Sequence, residues 1–119
     1  LINMKESVIR INVQMDENKI PVDIKWQADD NDMEQPIPAK AMLLAFWDKA
    51  DKAALRIDLW TKDMMIDEMA DFFYQTFMTM ADSYQRATQQ LEQAKDIKNF
   101  AKTFMHKFRE SQEKQKTSF

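Results

Sequence analysis

The sequence predicts an α+β fold, a small antiparallel sheet with helices packed on one face. Three observations carry that prediction. Segments 8–15, 20–27 and 54–60 alternate apolar and polar residues with period two, as half-buried strands do. Everything after Asp63 repeats its apolar residues at helical spacing. The length of 119 residues, with 45% hydrophobic and 31% charged residues, suits one folded domain rather than a disordered chain.

The first strand places Ile9, Ile11, Val13 and Met15 on one face and Arg10, Asn12 and Gln14 on the other. The second does the same with Ile20, Val22, Ile24 and Trp26. Asp16-Glu17-Asn18-Lys19 forms the polar turn between them. Placing Met15 opposite Ile20 sets Val13 against Val22, Ile11 against Ile24 and Ile9 against Trp26, with all eight side chains on one face. An acidic loop comes next, and Pro38 then opens a predicted short helix over 39–49, with Met42, Leu43, Phe46 and Trp47 on its apolar side. Leu55, Ile57 and Leu59 mark the third strand. Pro21 lacks an amide proton, which places the second strand at an edge. A right-handed crossover then sets the third strand beside the first, in the order 2-1-3 and the topology ββαβαα.

In the C-terminal segment one stripe runs Ile66, Met69, Phe73, Phe77, Met80, Ala81, Tyr84. A second runs Ala94, Ile97, Phe100, Ala101, Phe104, Phe108. A continuous helix over 64–108 would be about 67 Å long. A break or reversal is therefore expected near 86–91. The domain is expected to span 4–108. Met4-Lys5-Glu6 reads as a natural start, Leu1-Ile2-Asn3 as a vector-derived remnant, and 109–119 as a frayed polar tail.

Several function classes are poorly served by this composition. The chain has no Gly, so it has neither the phosphate-cradling loop of nucleotide enzymes nor a dinucleotide fingerprint. It has no Cys and one His, which leaves no thiolate nucleophile and no His pair for a metal. A net charge of -3 is unlike that of a dedicated nucleic-acid binder. No apolar run approaches the ~20 residues of a membrane span, and no signal peptide is expected, since no basic stretch followed by an apolar one stands at the start. The expectation is a cytoplasmic, non-enzymatic protein with no cofactor, no metal and no catalytic residues.

The stretch from Met4 to Val13 resembles the start of the gliding-motility protein GldC family of Bacteroidota. The resemblance continues at Ala39-Lys40-Ala41-Met42-Leu43-Leu44 and is strongest at Leu55-Arg56-Ile57-Asp58-Leu59-Trp60-Thr61-Lys62-Asp63-Met64, then at Asp67-Glu68-Met69. It takes in Met80-Ala81-Asp82 and Arg86-Ala87-Thr88. It implies a small cytoplasmic accessory of the gliding and associated secretion apparatus, working through protein partners. It carries over no catalytic residues.

Candidate interface residues come from what the core stripes leave over. Trp60 falls on the polar side of its strand, and Phe72 and Met78 fall off the main stripe of their helix. These three are either interface anchors or contacts for the last helix. Lys95, Lys98, Lys102 and Arg109 share a sector of about 60° beside the last apolar stripe. That sector is either a solvated face, a dock for an acidic partner, or a surface for anionic lipid. The apolar stripe itself must bury against the preceding helix, a second copy in a homodimer, or a partner. Asp29, Asp30, Asp32 and Glu34 offer oxygen ligands but lack the Gly and the distal Glu of a calcium loop, and read as a solvated loop. A second functional reading is a small-molecule or lipid pocket between sheet and helices, lined by Ile11, Ile24, Trp26, Phe73 and Phe77.

Overall fold

A computed structural model describes residues 4–30 and 34–117 of the chain. Their strands are β1 (Ile9–Met15), β2 (Pro21–Ala28), β3 (Ile37–Ala39), β4 (Ala41–Trp47) and β5 (Ala54–Trp60), and their helices are α1 (Ile66–Thr88) and α2 (Leu91–Thr117). The α+β class read from the sequence is the class observed. The chain divides into two compact units, a β unit up to Met64 and a helical unit from Met65.

In the β unit, β1 and β2 form the expected antiparallel hairpin, but two residues out of the expected register. Ile11 faces Trp26 and Val13 faces Ile24, rather than Ile24 and Val22. The turn sets the difference. The Asp16 carboxylate accepts the Asn18 and Ile20 amides at 2.8 and 3.0 Å, and Lys19 takes φ 60°. This makes Asp16, not Met15, the partner of Ile20, and a bulge beyond Gln14 adds the second residue of shift. A shift of two keeps Ile11 and Val13 on the face of Trp26 and Ile24, so their apolar pairing survives, whereas beyond the bulge Met15 stands opposite Pro21.

The predicted short helix over 39–49 is not a helix. Ile37–Ala39 adds to β2, and Ala41–Trp47 pairs with β5 as a hairpin. Seven consecutive apolar residues fit a buried helix face or a strand equally well. The turn after Trp47 decides between them. Asp48 caps it by accepting the amides of Ala50 and Asp51 at 3.2 and 2.7 Å, and Lys52 takes φ 51° to close it. The third predicted strand is present as β5, yet its partner is β4 and not β1. The sheets are ordered β1-β2-β3 and β4-β5, which replaces the expected 2-1-3 order and ββαβαα topology. β2 is central despite Pro21. Proline stands at its first residue, and β3 reaches only Ile24–Trp26, so no amide is missed there. Ile24 is 1% exposed and forms the centre of this unit.

The helical unit is a hairpin of two helices. α1 starts with Asp67 and Glu68 in its first turn, and the Glu68 carboxylate reaches back to the Met65 amide at 3.1 Å. It stops where the sequence predicts a break. Gln89 takes the left-handed conformation at φ 61° and its amide closes on the Gln85 carbonyl at 2.9 Å. Ala70 and Ala81 of α1, with Ala94, Ala101 and Met105 of α2, are the buried residues. Ala81, Ala94 and Ala101 stand on the stripes read from the sequence, while Ala70 and Met105 lie beside them, so the seam is shifted by about 50° from the centre of those stripes. Ile66 and Met80, expected inside, are exposed. Small residues win the seam because they let the two backbones approach closely. α2 also runs on to Thr117 through the segment expected to fray; Glu110 pairs with His106 at 3.0 Å along it, and Lys, Glu and Gln are good helix formers.

Candidate functional site

The helical unit carries two different flanks beside its alanine seam. On one side the phenylalanines of both helices stack edge to face. Phe73 meets Phe77 at 6.0 Å between centroids, and Phe77 meets Phe100 at 5.5 Å and Phe104 at 5.4 Å. Phe72 extends the row at 6.4 Å from Phe73. These geometries suit the aromatic quadrupole. Phe100 takes part while remaining 58% exposed, so it offers an aromatic surface to water. Phe77 is thus an intramolecular ring partner of the last stripe.

On the other flank lie the cations. Lys95, Lys102 and Arg109 are exposed. Lys98 is half-buried at the edge of the seam, and its ammonium sits 2.7 Å from the exposed Asp82 carboxylate of α1. The rotation of the helices explains this: Lys98 bridges the two helices, and the other three cations of the sector remain outward. Met78 is half-buried.

In the β unit, Trp60 ends β5 and is 55% exposed. It shares a face with Arg56 and Asp58, which form a two-pronged pair at 2.9 and 3.2 Å. Thr61, the next residue, is buried. Its amide donates to the Lys40 carbonyl at 2.8 Å and its hydroxyl engages Asp63. That hydroxyl is the main cause holding the Asp63 carboxyl below its ordinary value. Lys62 pairs with Asp16, and its amide donates to the Pro21 carbonyl at 3.3 Å. The lysine contact is the largest cause lowering the Asp16 pKa, with the Ile20 amide next. Thr61-Lys62-Asp63 is thus a clasp between the exit of β5 and the first hairpin.

Ile11, Ile24 and Trp26 do line one concavity, with Ile9, Ala39, Ala41, Met42 and Leu43, of about 230 Å³. The side chains that line it are all apolar and belong to the β unit. Phe73 and Phe77, expected with them, are committed to the aromatic row. Asp29 accepts the Val8 amide at 3.3 Å; Asn31, Asp32 and Met33 of the acidic loop, like Leu1–Asn3, lie outside the described residues. Among the described residues no three acidic or histidine side chains come together as a metal cage would need, and no helix is long and apolar enough to cross a membrane.

Sequence reasoning missed the exposed edge of the aromatic row and the clasp. The first was legible in part, since Ala81, Ala94 and Ala101 stand on the predicted stripes and mark the side on which small residues compete with the phenylalanines for the seam. The second carries no periodic signal.

These features describe a small protein whose most developed elements are surfaces: an aromatic row, a cationic flank and an open strand face. The family comparison gives that description a place. The model of the GldC-like family, gliding motility-associated proteins, matches residues 21–110, and the chain belongs to that family. Neither the curated proteins nor the solved structures contain a match to it.

Proposed function

We propose that this chain is a non-enzymatic, cytoplasmic interaction protein of the gliding-motility and associated secretion machinery in a bacterium of the Bacteroidota. Membership of the GldC-like family is the observation that carries the process. The mechanism rests on the surfaces. Phe100 offers an exposed, pre-ordered aromatic anchor, of the kind that dominates interface energetics. Lys95, Lys102 and Arg109 offer charge that steers an acidic partner.

The test is affinity capture from the native organism with the intact chain as bait. Phe100→Ser should abolish capture of a motility component, and Lys95→Glu with Lys102→Glu should weaken it most at low salt, where screening is least. Equal recovery by all three baits would remove the helical unit from the interface. The ligand-binding reading has the apolar concavity in its favour, but about 230 Å³ lies below the ~300–1,000 Å³ of ordinary ligand pockets.

A further inference from the structure

β5 reads Ala54-Leu55-Arg56-Ile57-Asp58-Leu59-Trp60, and the segment mirrors itself about Ile57. Leucine stands two residues away on either side, and opposite charges stand one residue away. One edge of the strand is occupied by β4. At the ends of that ladder the Asp48 amide bonds the Ala53 carbonyl and the Thr61 amide bonds the Lys40 carbonyl, both at 2.8 Å. The alternation of an antiparallel ladder then directs the amides and carbonyls of Leu55, Ile57 and Leu59 toward β4. Those of Ala54, Arg56, Asp58 and Trp60 point to the opposite edge, where the described residues supply no backbone partner.

We propose that this edge is a homodimer interface. β5 of one copy pairs antiparallel with β5 of a second copy about a twofold axis at Ile57, and two hairpins become one four-stranded sheet. Charge selects both the partner and the register. An axis at Arg56 would set Arg56 against its own copy, and an axis at Asp58 would set two carboxylates face to face; like charges directly opposite destabilise a ladder. With the axis at Ile57, Arg56 faces Asp58 of the second copy, and the reverse, so four charges alternate in sign. The outward amides of Arg56 and Asp58 are then the ones that bond across the new edge, while the two Ile57 residues form the close, non-hydrogen-bonded pair.

The apolar side agrees. Met42, Leu44 and Phe46 share one face of the hairpin with Leu55, Ile57 and Leu59. Phe46, Leu55 and Ile57 on that face are 58%, 55% and 49% exposed. Leu55 would meet Leu59 of the second copy there, making one continuous apolar sheet face. An isolated two-stranded ribbon is marginal in water, and a strand edge left open invites pairing. A self-complementary edge accepts the same chain and rejects strands of other charge pattern.

The decisive experiment is sedimentation equilibrium on the full chain over a hundredfold concentration range. The wild type should show monomer and dimer in exchange. Arg56→Asp or Asp58→Arg alone should raise the dissociation constant about tenfold or more, because each sets like charges opposite twice per dimer. The two changes together restore the pairing with inverted sign and should restore the dimer, which separates pairing from misfolding. Cross-linking gives a second reading, since the chain has no cysteine of its own. Ile57→Cys should oxidise to a covalent dimer, whereas Leu55→Cys, about 13 Å from its own copy in this register, should not. A wild type that stays monomeric throughout overturns the proposal. So does a dimer indifferent to the single charge changes, or a double variant that fails to recover it.

Discussion

The two units solve the burial problem in opposite ways. The helical unit closes on itself with small residues: alanines from both helices fill the seam, and the aromatic row lies beside it. The β unit has large apolar residues and little to put over them. Among the described residues Ile24 is its one fully buried large side chain, while Phe46, Trp47, Leu55 and Ile57 stay in water. Helices can approach until alanine suffices, because all their backbone bonds are internal. A thin sheet has two faces and two edges, and a few strands cannot cover both. Surface that a small domain fails to bury is surface available to something else.

The chain supplies probes that separate the units. Trp26, Trp47 and Trp60 all lie in the β unit, so tryptophan fluorescence reports that unit and far-ultraviolet helix signal reports the other. The largest expected effect is Ile24→Ala, which should destabilise the β unit by about 2–4 kcal/mol and lower the fluorescence transition in denaturant, with the helix transition little moved. Coincident loss of both signals would deny the units separate cores. Ala101→Leu should act in reverse. Overpacking a close seam costs about 1–3 kcal/mol, read in the helix transition. A neutral result would mean the seam is looser than its complete burial implies.

Smaller effects sharpen the contrast at the turns. A chain without glycine must put other residues at positive φ, here Lys19, Lys52 and Gln89. Gln89→Gly should therefore stabilise the helical hairpin by about 0.5–1 kcal/mol, visible as a later helix transition. The smallest concerns the clasp. Asp16 has its pKa lowered by Lys62 and the turn amides. The stabilisation this gives is present above the ordinary carboxylate value of 3.8 and fades as pH falls through the lower folded value. Asp16→Asn should flatten the acid limb of β-unit stability, leaving the slope that Asp63 supplies. An unaltered acid limb would show that the Lys62 contact contributes nothing in solution.

Much of this was legible in the sequence, for identifiable reasons. Period-two alternation settles which side of β1 and β2 is apolar, since parity depends on the residues alone. It cannot settle the register, which the Asp16 turn and the bulge beyond Gln14 decide. The run Ala41–Trp47 has no polar residue to reveal its period, so a strand passes for a helix, and the sheet order falls with it. The reversal at Gln89 was legible because chain length bounds helix length. The stripes already held Ala81, Ala94 and Ala101 of the seam, but the large residues set their centre, so the shift of both helices toward Ala70 and Met105 was not legible. Trp60 stands on the polar side of its strand, as alternation predicts. Lys98 does not stand among the outward cations, because nothing in one helix announces an acid on another.

The clasp of Lys62 on Asp16 and Pro21 has a consequence in time. It joins segments separated by almost the whole β unit, so a long loop must close before the contact forms. The helical hairpin needs only neighbouring turns to meet across Gln89, a local search. During refolding the helix signal should recover first and tryptophan fluorescence later. In that interval the β4–β5 hairpin stands without its tie to Asp16 and Pro21. The chain is then most prone to pair its strands with the wrong neighbour.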